Sequence, residues 1–193
     1  ESAAIKIGDG VYRMGIGGLH SSESSVVHFA DETTLLCDRD VASYYPAIIL
    51  TLGLYPPHLG KAFLKVYKRI VDERLAAKGK AKDAKKAKDE AEEKHWTTIA
   101  NSLKITVNGS FGKLGSKWSA LYAPNLMVQV TLTGQLALLY LIEKLELADI
   151  PVVSANTDGV VIKCPKDREA DMLAIIKEWE TETGFETEEA RYK

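Results

Sequence analysis

The hydrophobic pattern of the chain predicts four core strands and two long core helices. Short apolar or alternating stretches bounded by turn residues are typical of buried strands. Apolar residues that recur every three or four positions predict the helices. In chain order, the predicted elements are a strand at 34–41, a helix at 124–147, strands at 151–154 and 160–163, a helix at 167–183 and a strand at 185–193.

This order, strand-helix-strand-strand-helix-strand, is that of a ferredoxin-like α+β fold with an antiparallel sheet. We expect the first two of these strands to lie side by side at the centre of the sheet. The end of the first strand can then approach the turn at residues 156–159. Asp40 and Asp158 occupy those two places, so the topology predicts that their carboxylates converge.

The segment before the first core strand is predicted to contain a further strand, a glycine turn and a hairpin. Residues 5–19 alternate loosely and end in residues 15–18, Gly-Ile-Gly-Gly, here called the glycine segment. Residues 26–29 are predicted to pair with residues 34–41, across a turn at Asp31, in a hairpin that delivers Asp40.

A helical insertion is predicted between the first strand and the first core helix. A short helix from Pro46 to Gly53 is followed by two long helices, at 61–78 and 82–111, with a break at Gly79. Residues 81–94 are almost all Ala, Lys, Asp and Glu, so this part has no apolar stripe and must project into solvent. The pattern predicts a two-helix hairpin, and an ordinary helical spacer explains it as well.

Composition is that of an ordinary globular protein, with 46% apolar and 27% charged residues. Cys37 and Cys164 lie far apart in predicted strands, which indicates reduced thiols and a cytoplasmic location. Residues 119–142 carry no charged residue, but several polar side chains interrupt them, so we predict a buried helix and no membrane partner. The chain starts without methionine and ends within an alternating stretch, and we expect a piece of a larger protein.

The net charge of −2 conceals a basic segment on an acidic remainder. Between Lys61 and Lys94 there are twelve Lys and Arg against seven Asp and Glu, whereas the rest of the chain has 13 against 20. A polyanion is therefore expected to bind locally, at the basic segment.

Two acidic residues are candidate metal ligands, and each has a purely structural alternative. Asp40 ends a strand just before the helix N–H groups of Tyr44 and Tyr45, where it can hold a metal beside a bound anion. A helix-capping Asp40 explains that stretch equally well. Asp158 precedes Gly159 in a tight hairpin turn, which needs no ligand.

A third stretch suits nucleotide chemistry. Lys104, Asn108 and Phe111 fall on one helix face, where they suit a phosphate and a base, although an amphipathic helix end has the same pattern. Two carboxylates on different strands can hold two Mg²⁺ ions for an in-line phosphoryl transfer. The helix N-terminus after Ser43, with Lys104 and Arg74, would then hold a triphosphate.

Four stretches resemble motifs of the family B DNA polymerases, in their phage-type branch. Residues 40–49, DVASYYPAII, are similar to the first palm motif, Asp-x-x-Ser-Leu-Tyr-Pro-Ser-Ile-Ile. Residues 104–112, KITVNGSFG, resemble the fingers motif, Lys-x-x-x-Asn-Ser-x-Tyr-Gly. Residues 156–159, NTDG, resemble the Asp-Thr-Asp-Ser of the second palm motif, and the glycine segment resembles the Tyr-x-Gly-Gly stretch between exonuclease and polymerase parts.

The resemblance implies a DNA-directed DNA polymerase core that adds dNTPs to a primer 3′-hydroxyl in DNA replication. Asp40 and Asp158 would be the catalytic pair that binds two Mg²⁺ or Mn²⁺ ions, with the Val41 carbonyl as a further ligand. Tyr45 would be the steric gate against a 2′-hydroxyl. The implied nucleotide-binding residues are Ser43, Tyr44, Tyr45, Arg74, Lys104 and Asn108, and the implied DNA-binding residues are Gly17, Gly18, Phe111, Gly112 and Thr157.

The same resemblance implies a domain plan and partners. Residues 1–58 would be the first part of the palm, 59–113 the fingers hairpin and 114–193 the rest of the palm. The partners would be primer-template DNA, dNTPs and the exonuclease and thumb domains of the same polypeptide, expected before and after these residues. A phage-encoded protein would act in the host cytoplasm.

The chain departs from the family motifs at four positions, and one of them bears on metal binding. The substitutions are Asn156 for Asp, Gly159 for Ser, Gly109 for Ser and Phe111 for Tyr. Loss of the carboxylate at position 156 is expected to weaken metal affinity. Asp38 lies two residues before Asp40, on the same strand face. It either supplies compensating charge or is a solvated residue at a strand end.

Two other functions fit the predicted topology. One is a non-catalytic nucleic-acid-binding module, but such modules present aromatic residues on the strands. Here the aromatic residues Tyr44, Tyr45 and Phe111 lie off the predicted strands. The other is a nucleotidyl cyclase, which would need neither the long basic hairpin nor the Lys104 face.

Overall fold

The computed structural model describes residues 2–192 and divides into two compact units. The first unit comprises residues 1–48 and 128–193, and the second comprises residues 49–127. Within the described residues the strands are β1 Ala3–Ile7, β2 Gly10–Met14, β3 Leu19–Ser21, β4 Thr34–Val41, β5 Val152–Ala155, β6 Gly159–Pro165 and β7 Thr187–Arg191. The α-helices are α1 Tyr44–Thr51, α2 Ala62–Ala87, α3 Glu90–Leu114, α4 Pro124–Leu147 and α5 Glu169–Thr183.

A four-stranded antiparallel sheet forms the centre of the first unit. Its strand order is β5-β6-β4-β7, and every neighbouring pair is antiparallel. The prediction that β4 pairs with β5 is wrong, because β6 lies between them and β5 forms the edge. The connection through α4 places β5 one strand position away from β4. The tight β5–β6 turn then places β6 in the position between them, where it pairs with both strands.

The predicted hairpin of residues 26–29 with β4 is also wrong. Residues 26–29 are not in a strand, and the two edges of β4 pair with β6 and β7 instead. Asp31 does form a turn, because its Oδ1 accepts hydrogen bonds from the N–H groups of Thr33 and Thr34, at 2.8 Å each. β4 is therefore positioned by the two later strands and not by the residues that precede it.

A second antiparallel sheet, in the order β1-β2-β3, holds the N-terminal part of the first unit. Ser21 fixes it to the central sheet, because its Oγ donates to the Ala155 carbonyl at 3.0 Å and accepts from the Ala155 N–H at 2.7 Å. The glycine segment connects β2 to β3. It is thus carried between two strands whose positions are set by the small sheet.

Helix α4 packs its apolar residues into the core of the first unit and contacts α5. Leu138, Leu141 and Leu145 are fully buried, and the Trp179 indole N–H donates to the Ala137 carbonyl at 2.8 Å. By length and composition alone α4 is apolar enough to cross a membrane, with a mean hydropathy of 1.4 in its most apolar window. Half of that window is buried within the protein, and core helices commonly pass the same test.

The second unit contains the antiparallel helices α2 and α3, and the predicted break at Gly79 is wrong. Helix α2 runs through Gly79 to Ala87, since a glycine in a helix interior costs about 1 kcal/mol and its neighbours favour helix. The chain reverses at Lys88, which is left-handed, and at Asp89, whose side chain accepts from the Glu92 N–H at 3.1 Å. The turn is therefore nine residues later than predicted.

Candidate active site

Asp40 and Asp158 meet at one end of the central sheet. Asp40 lies opposite Gly159 in the β4–β6 register, and the next N–H along β4, that of Val41, donates to the Asp158 carbonyl at 2.7 Å. Both aspartates are exposed at this end, although their chain neighbours Arg39, Val41 and Gly159 are buried. The two carboxylates, which are 118 positions apart in the sequence, thus flank a single backbone hydrogen bond.

Asn156 uses its side chain to close the turn that carries Asp158. Its Oδ1 accepts from the N–H of Asp158 at 3.1 Å and from the N–H of Gly159 at 2.9 Å, while its own N–H donates to the Gly159 carbonyl at 3.0 Å. A carboxylate could accept the same two bonds, so the asparagine keeps the turn and gives up one negative charge. The consequence expected from the sequence, a weaker affinity for metal ions, stays a prediction.

Negative charge is nevertheless concentrated around Asp40. Partial burial raises the pKa of the Asp40 carboxyl, and the carboxylates of Asp38, Asp158 and Glu188 raise that pKa further. A divalent cation would relieve this repulsion, and carboxylate oxygens are the ligands that Mg²⁺ prefers. Across the described chain, no group of three or more His, Cys, Asp or Glu side chains is arranged to hold a metal ion. The pair fits a metal by its chemistry, without a third acidic ligand.

Gly159 is required by the close approach of the two strands. A Cβ at this position would overlap Asp40 Oδ1 and lie 2.9 Å from the Arg39 carbonyl oxygen, which is backbone and cannot move away cheaply. We expect Gly159→Ala to lower the free energy of unfolding by about 1–3 kcal/mol. Displacement of the Asp40 carboxylate should also slow any reaction at this site by about tenfold or more.

Gly79→Ala is the matched control for that substitution. Gly79 is exposed within α2, and no described residue of another element lies within 4 Å of a Cβ built on it. Alanine should therefore stabilise the helix by about 0.5–1 kcal/mol. Thermal unfolding of both variants measures the difference. A Gly159→Ala protein as stable as the wild type would show that the strands do not need glycine here.

Helix α1 begins directly after the Asp40 strand, and it begins earlier than predicted. Its first residue is Tyr44, and Ser43 accepts its first backbone bond, from the Ala47 N–H at 2.9 Å. Pro46 is therefore the third helical residue, where a missing N–H costs nothing because first-turn N–H groups have no partner within the helix. Ser43 has a φ of 50°, an uncommon value for a residue other than glycine. The first N–H groups of α1 are thus those of Tyr44 and Tyr45, the residues that the sequence indicated beside Asp40.

Tyr44 and Tyr45 are fixed by their hydroxyl groups. The two rings stack with an interplanar angle of 9° and centroids 6.3 Å apart. Tyr44 donates to the Gly134 carbonyl at 2.6 Å, and Tyr45 donates to the Gly17 carbonyl at 3.0 Å. Burial raises the pKa of Tyr45, and the nearby Asp158 carboxylate raises that pKa further, so the hydroxyl stays protonated as a donor.

The glycine segment and the β5–β6 turn meet beside Tyr45. Gly18 has a φ of 154°, and a Cβ at this position would lie 2.6 Å from Thr157 Oγ1. Four residues that the sequence suggested from separate motifs, Gly17, Gly18, Tyr45 and Thr157, are therefore brought together in the first unit. Their roles toward DNA and nucleotide stay predictions.

The remaining candidate residues lie in the second unit. Lys104 and Asn108 are exposed and, with Asn101, Ile105 and Gly109, line a shallow depression along α3. Phe111 packs against the buried cluster of Leu114, Ala123 and Leu126, so part of its ring is in the helical core. Arg74 is half-buried on α2, and Gly112 is exposed. The shared face of Lys104 and Asn108 is as predicted from their spacing.

Gln135 was not among the functional residues predicted from the sequence. It is only 2% exposed on α4, and its Nε2 donates to the Gly15 carbonyl at 2.6 Å. The signal available was that Gln135 is a polar residue within an otherwise uncharged, apolar stretch. That signal indicated burial without indicating a partner.

Comparison with known proteins identifies the family. The sequence profile of DNA polymerase family B matches residues 60–186, which is more than half of the chain. The chain belongs to DNA polymerase family B. The matched residues include Lys104, Asn108 and Asp158, whereas Asp40 and Tyr45 precede them.

A solved structure has a similar fold. The family B DNA polymerase from the hyperthermophilic archaeon Pyrobaculum calidifontis superposes with a TM-score of 0.58 and 19% sequence identity over 87% of this chain. This chain covers 26% of that polymerase, so it spans about a quarter of its length. The likeness confirms a mixed α and β fold with antiparallel sheets. A search of curated proteins found no match.

Proposed function

We propose that this chain is the palm and fingers region of a DNA-directed DNA polymerase, which adds dNTPs to a primer 3′-hydroxyl. The observation that carries the proposal is the position of Asp158 next to Asp40 at the end of the central sheet, in a chain that belongs to family B. Two carboxylates, one on β4 and one in the β5–β6 turn, next to the N-terminus of a helix, suit a metal-assisted phosphoryl transfer.

The topology supports the assignment of the first unit as a ferredoxin-like palm. Along the chain the elements follow the order β4-α4-β5-β6-α5-β7, and the sheet is antiparallel throughout. The two-helix insertion α2–α3 supports the assignment of the fingers. The compact second unit, residues 49–127, extends beyond both ends of the fingers segment proposed from the sequence, residues 59–113.

The metal ions of the proposed reaction would be held by Asp40, Asp158 and the Val41 carbonyl. Bound Mg²⁺ or Mn²⁺ would activate the primer hydroxyl and stabilise the leaving oxygen. The carboxylates of Asp38, Asp158 and Glu188 lie near that of Asp40 and repel it. A bound cation would relieve this repulsion, which supports the proposed metal site. Asn156 would contribute through the turn that orients Asp158.

The chain's own residues would bind and orient the substrates. Lys104, Asn108 and Arg74 would hold the triphosphate of the incoming dNTP, and the N–H groups that follow Ser43 would hold its phosphates. Tyr45 would exclude a 2′-hydroxyl. The proposed DNA contacts are Gly17, Gly18, Thr157, Phe111 and Gly112.

A reducing, cytoplasmic compartment is part of the same proposal. Cys37 and Cys164 are both free and buried, in β4 and β6. Burial raises the pKa of both thiols, so they are inert side chains of the core. Neither residue needs an oxidising environment.

A non-catalytic nucleic-acid-binding module is the second candidate. The observation that favours it is the turn-bound Asn156 side chain, together with the lack of a three-carboxylate metal group among residues 2–192. Such a module would bind primer-template DNA through the basic second unit and leave the primer unextended.

Primer extension distinguishes the two candidates. The assay uses the longest natural polypeptide that contains this chain, a labelled primer-template and Mg²⁺ or Mn²⁺. We expect extension only with the dNTP complementary to the template base. DNA binding with no extension in either metal would reject the polymerase proposal and support the binding module.

A further inference from the structure

The side-chain amide of Gln135 is buried and donates a hydrogen bond to one backbone carbonyl. Its Nε2 lies 2.6 Å from the Gly15 oxygen, which can only accept, and its Oε1 has no hydrogen-bond partner among the described residues. Burial of an unpaired amide oxygen costs folding free energy. An apolar side chain would avoid that cost, so the contribution of Gln135 lies in its bond to Gly15.

That bond fixes one end of the glycine segment. Glycine residues have more backbone freedom than other residues, so this segment depends on outside contacts for a defined position. Gly15 is held by Gln135, Gly17 accepts the Tyr45 hydroxyl at 3.0 Å, and Gly18 is confined by Thr157. Release of the first contact would let the Gly17 carbonyl move away from Tyr45.

The same turn of α4 also fixes the other neighbour of Tyr45. The Gly134 carbonyl accepts the Tyr44 hydroxyl at 2.6 Å, and a Cβ on Gly134 would lie 3.2 Å from the Tyr44 ring. The Tyr44 ring stacks on Tyr45. Gly134 and Gln135, which are consecutive in α4, therefore contact the ring that stacks on Tyr45 and the glycine segment whose Gly17 carbonyl accepts the Tyr45 hydroxyl.

We propose that Gln135 is a positioning residue that fixes Tyr45 through the glycine segment and so contributes to discrimination between dNTPs and rNTPs. This inference rests on the proposed function, in which Tyr45 excludes a 2′-hydroxyl. Gln135 itself does not touch the nucleotide. Its effect is on how firmly the Tyr45 ring is held against the sugar.

Gln135→Met tests the inference, because it keeps the length of the side chain and removes its donor. We expect the ratio of kcat/KM for a dNTP to kcat/KM for the matching rNTP to fall by about threefold to tenfold, as for the loss of one hydrogen bond. Gln129→Met, an exposed glutamine on the same helix, should leave the ratio unchanged. Gln135→Asn, whose shorter amide cannot reach Gly15, should lower the ratio as Gln135→Met does, and it decides the matter if the methionine variant does not fold.

A double-mutant cycle with Tyr45→Phe separates positioning from a general packing effect. Tyr45→Phe removes the hydroxyl that binds Gly17 and leaves the ring. If Gln135 acts through that bond, adding Gln135→Met to Tyr45→Phe should lower the ratio no further. Effects that multiply, or a change in melting temperature with an unchanged ratio, would overturn the proposal.

Tyr45→Ala distinguishes failure of this inference from failure of the function beneath it. We expect this variant to incorporate ribonucleotides more readily than any Gln135 variant does. A large effect of Tyr45→Ala with an unchanged ratio in Gln135→Met and Gln135→Asn would reject the role of Gln135 alone. An unchanged ratio in Tyr45→Ala would reject Tyr45 as the gate and this inference with it. Absence of extension by the wild type would reject the polymerase function and everything that rests on it.

Discussion

Asp40→Asn should reduce the rate of primer extension by about a thousandfold, as expected when a two-metal site loses a ligand. The folded protein should be as stable as the wild type or more stable. Its stability should not fall, because the structure raises the pKa of Asp40 and so disfavours the ionised carboxylate at neutral pH. Asparagine removes that charge without changing the shape of the side chain. Loss of activity with an equal or higher melting temperature is the mark of a functional residue that strains the fold.

Asp158→Asn should cause a loss of activity of similar size, and Asp167→Asn is the matched control. Asp167 is an exposed acidic residue of the same unit, on a single 3-10 turn beyond the end of β6. Calorimetric titration with Mn²⁺ gives a second readout, in which both active-site variants bind more weakly and the control does not. Full extension by Asp40→Asn and by Asp158→Asn would remove the carboxylate pair as the reaction centre.

The proximity of Asp40 and Asp158 was predicted from the sequence, but the sheet order used for that prediction was wrong. The turn at residues 156–159 is shared by β5 and β6. Antiparallel pairing of β6 with β4 brings this turn to the Asp40 end of β4, whereas antiparallel pairing of β5 with β4 would bring it to the Thr34 end. Hydrophobic periodicity therefore predicted the two strands and the turn between them, whereas the position of the turn beside Asp40 follows from the pairing of β6 with β4.

The contacts that hold the glycine segment could not be predicted in this way. Gln135 and Gly15 are 120 positions apart, and no periodic pattern links a buried amide to a particular carbonyl. The Asn156 side chain is likewise oriented by the backbone N–H groups of Asp158 and Gly159, which point toward it only once the turn has formed. Both contacts are polar and specific, and the patterns that predict helices and strands record only which residues are apolar.

Lys104→Ala should lower kcat/KM for dNTPs by about a hundredfold, similar to the loss of one charged contact to a transferring phosphoryl group. Lys104 is exposed on α3, on the same face as Asn108, and Ile105 beside it is 75% exposed. Among the residues that the structure describes, the packing of the hairpin does not depend on the lysine side chain, which is exposed. Alanine also has the highest helix propensity, so α3 should keep its structure.

Lys94→Ala on the same helix shows whether position or total charge matters. Lys94 is equally exposed and lies ten residues earlier, which is about 15 Å along the helix axis. If Lys104 binds the triphosphate, its removal should raise KM for dNTPs and lower kcat while DNA affinity changes little, and Lys94→Ala should leave both constants near wild type. If instead the second unit acts only through its overall positive charge, the two variants should weaken DNA binding equally. That result would remove Lys104 from the nucleotide site, because a charge that acts at one phosphate cannot be replaced by another 15 Å away, beyond the Debye length of about 8–10 Å.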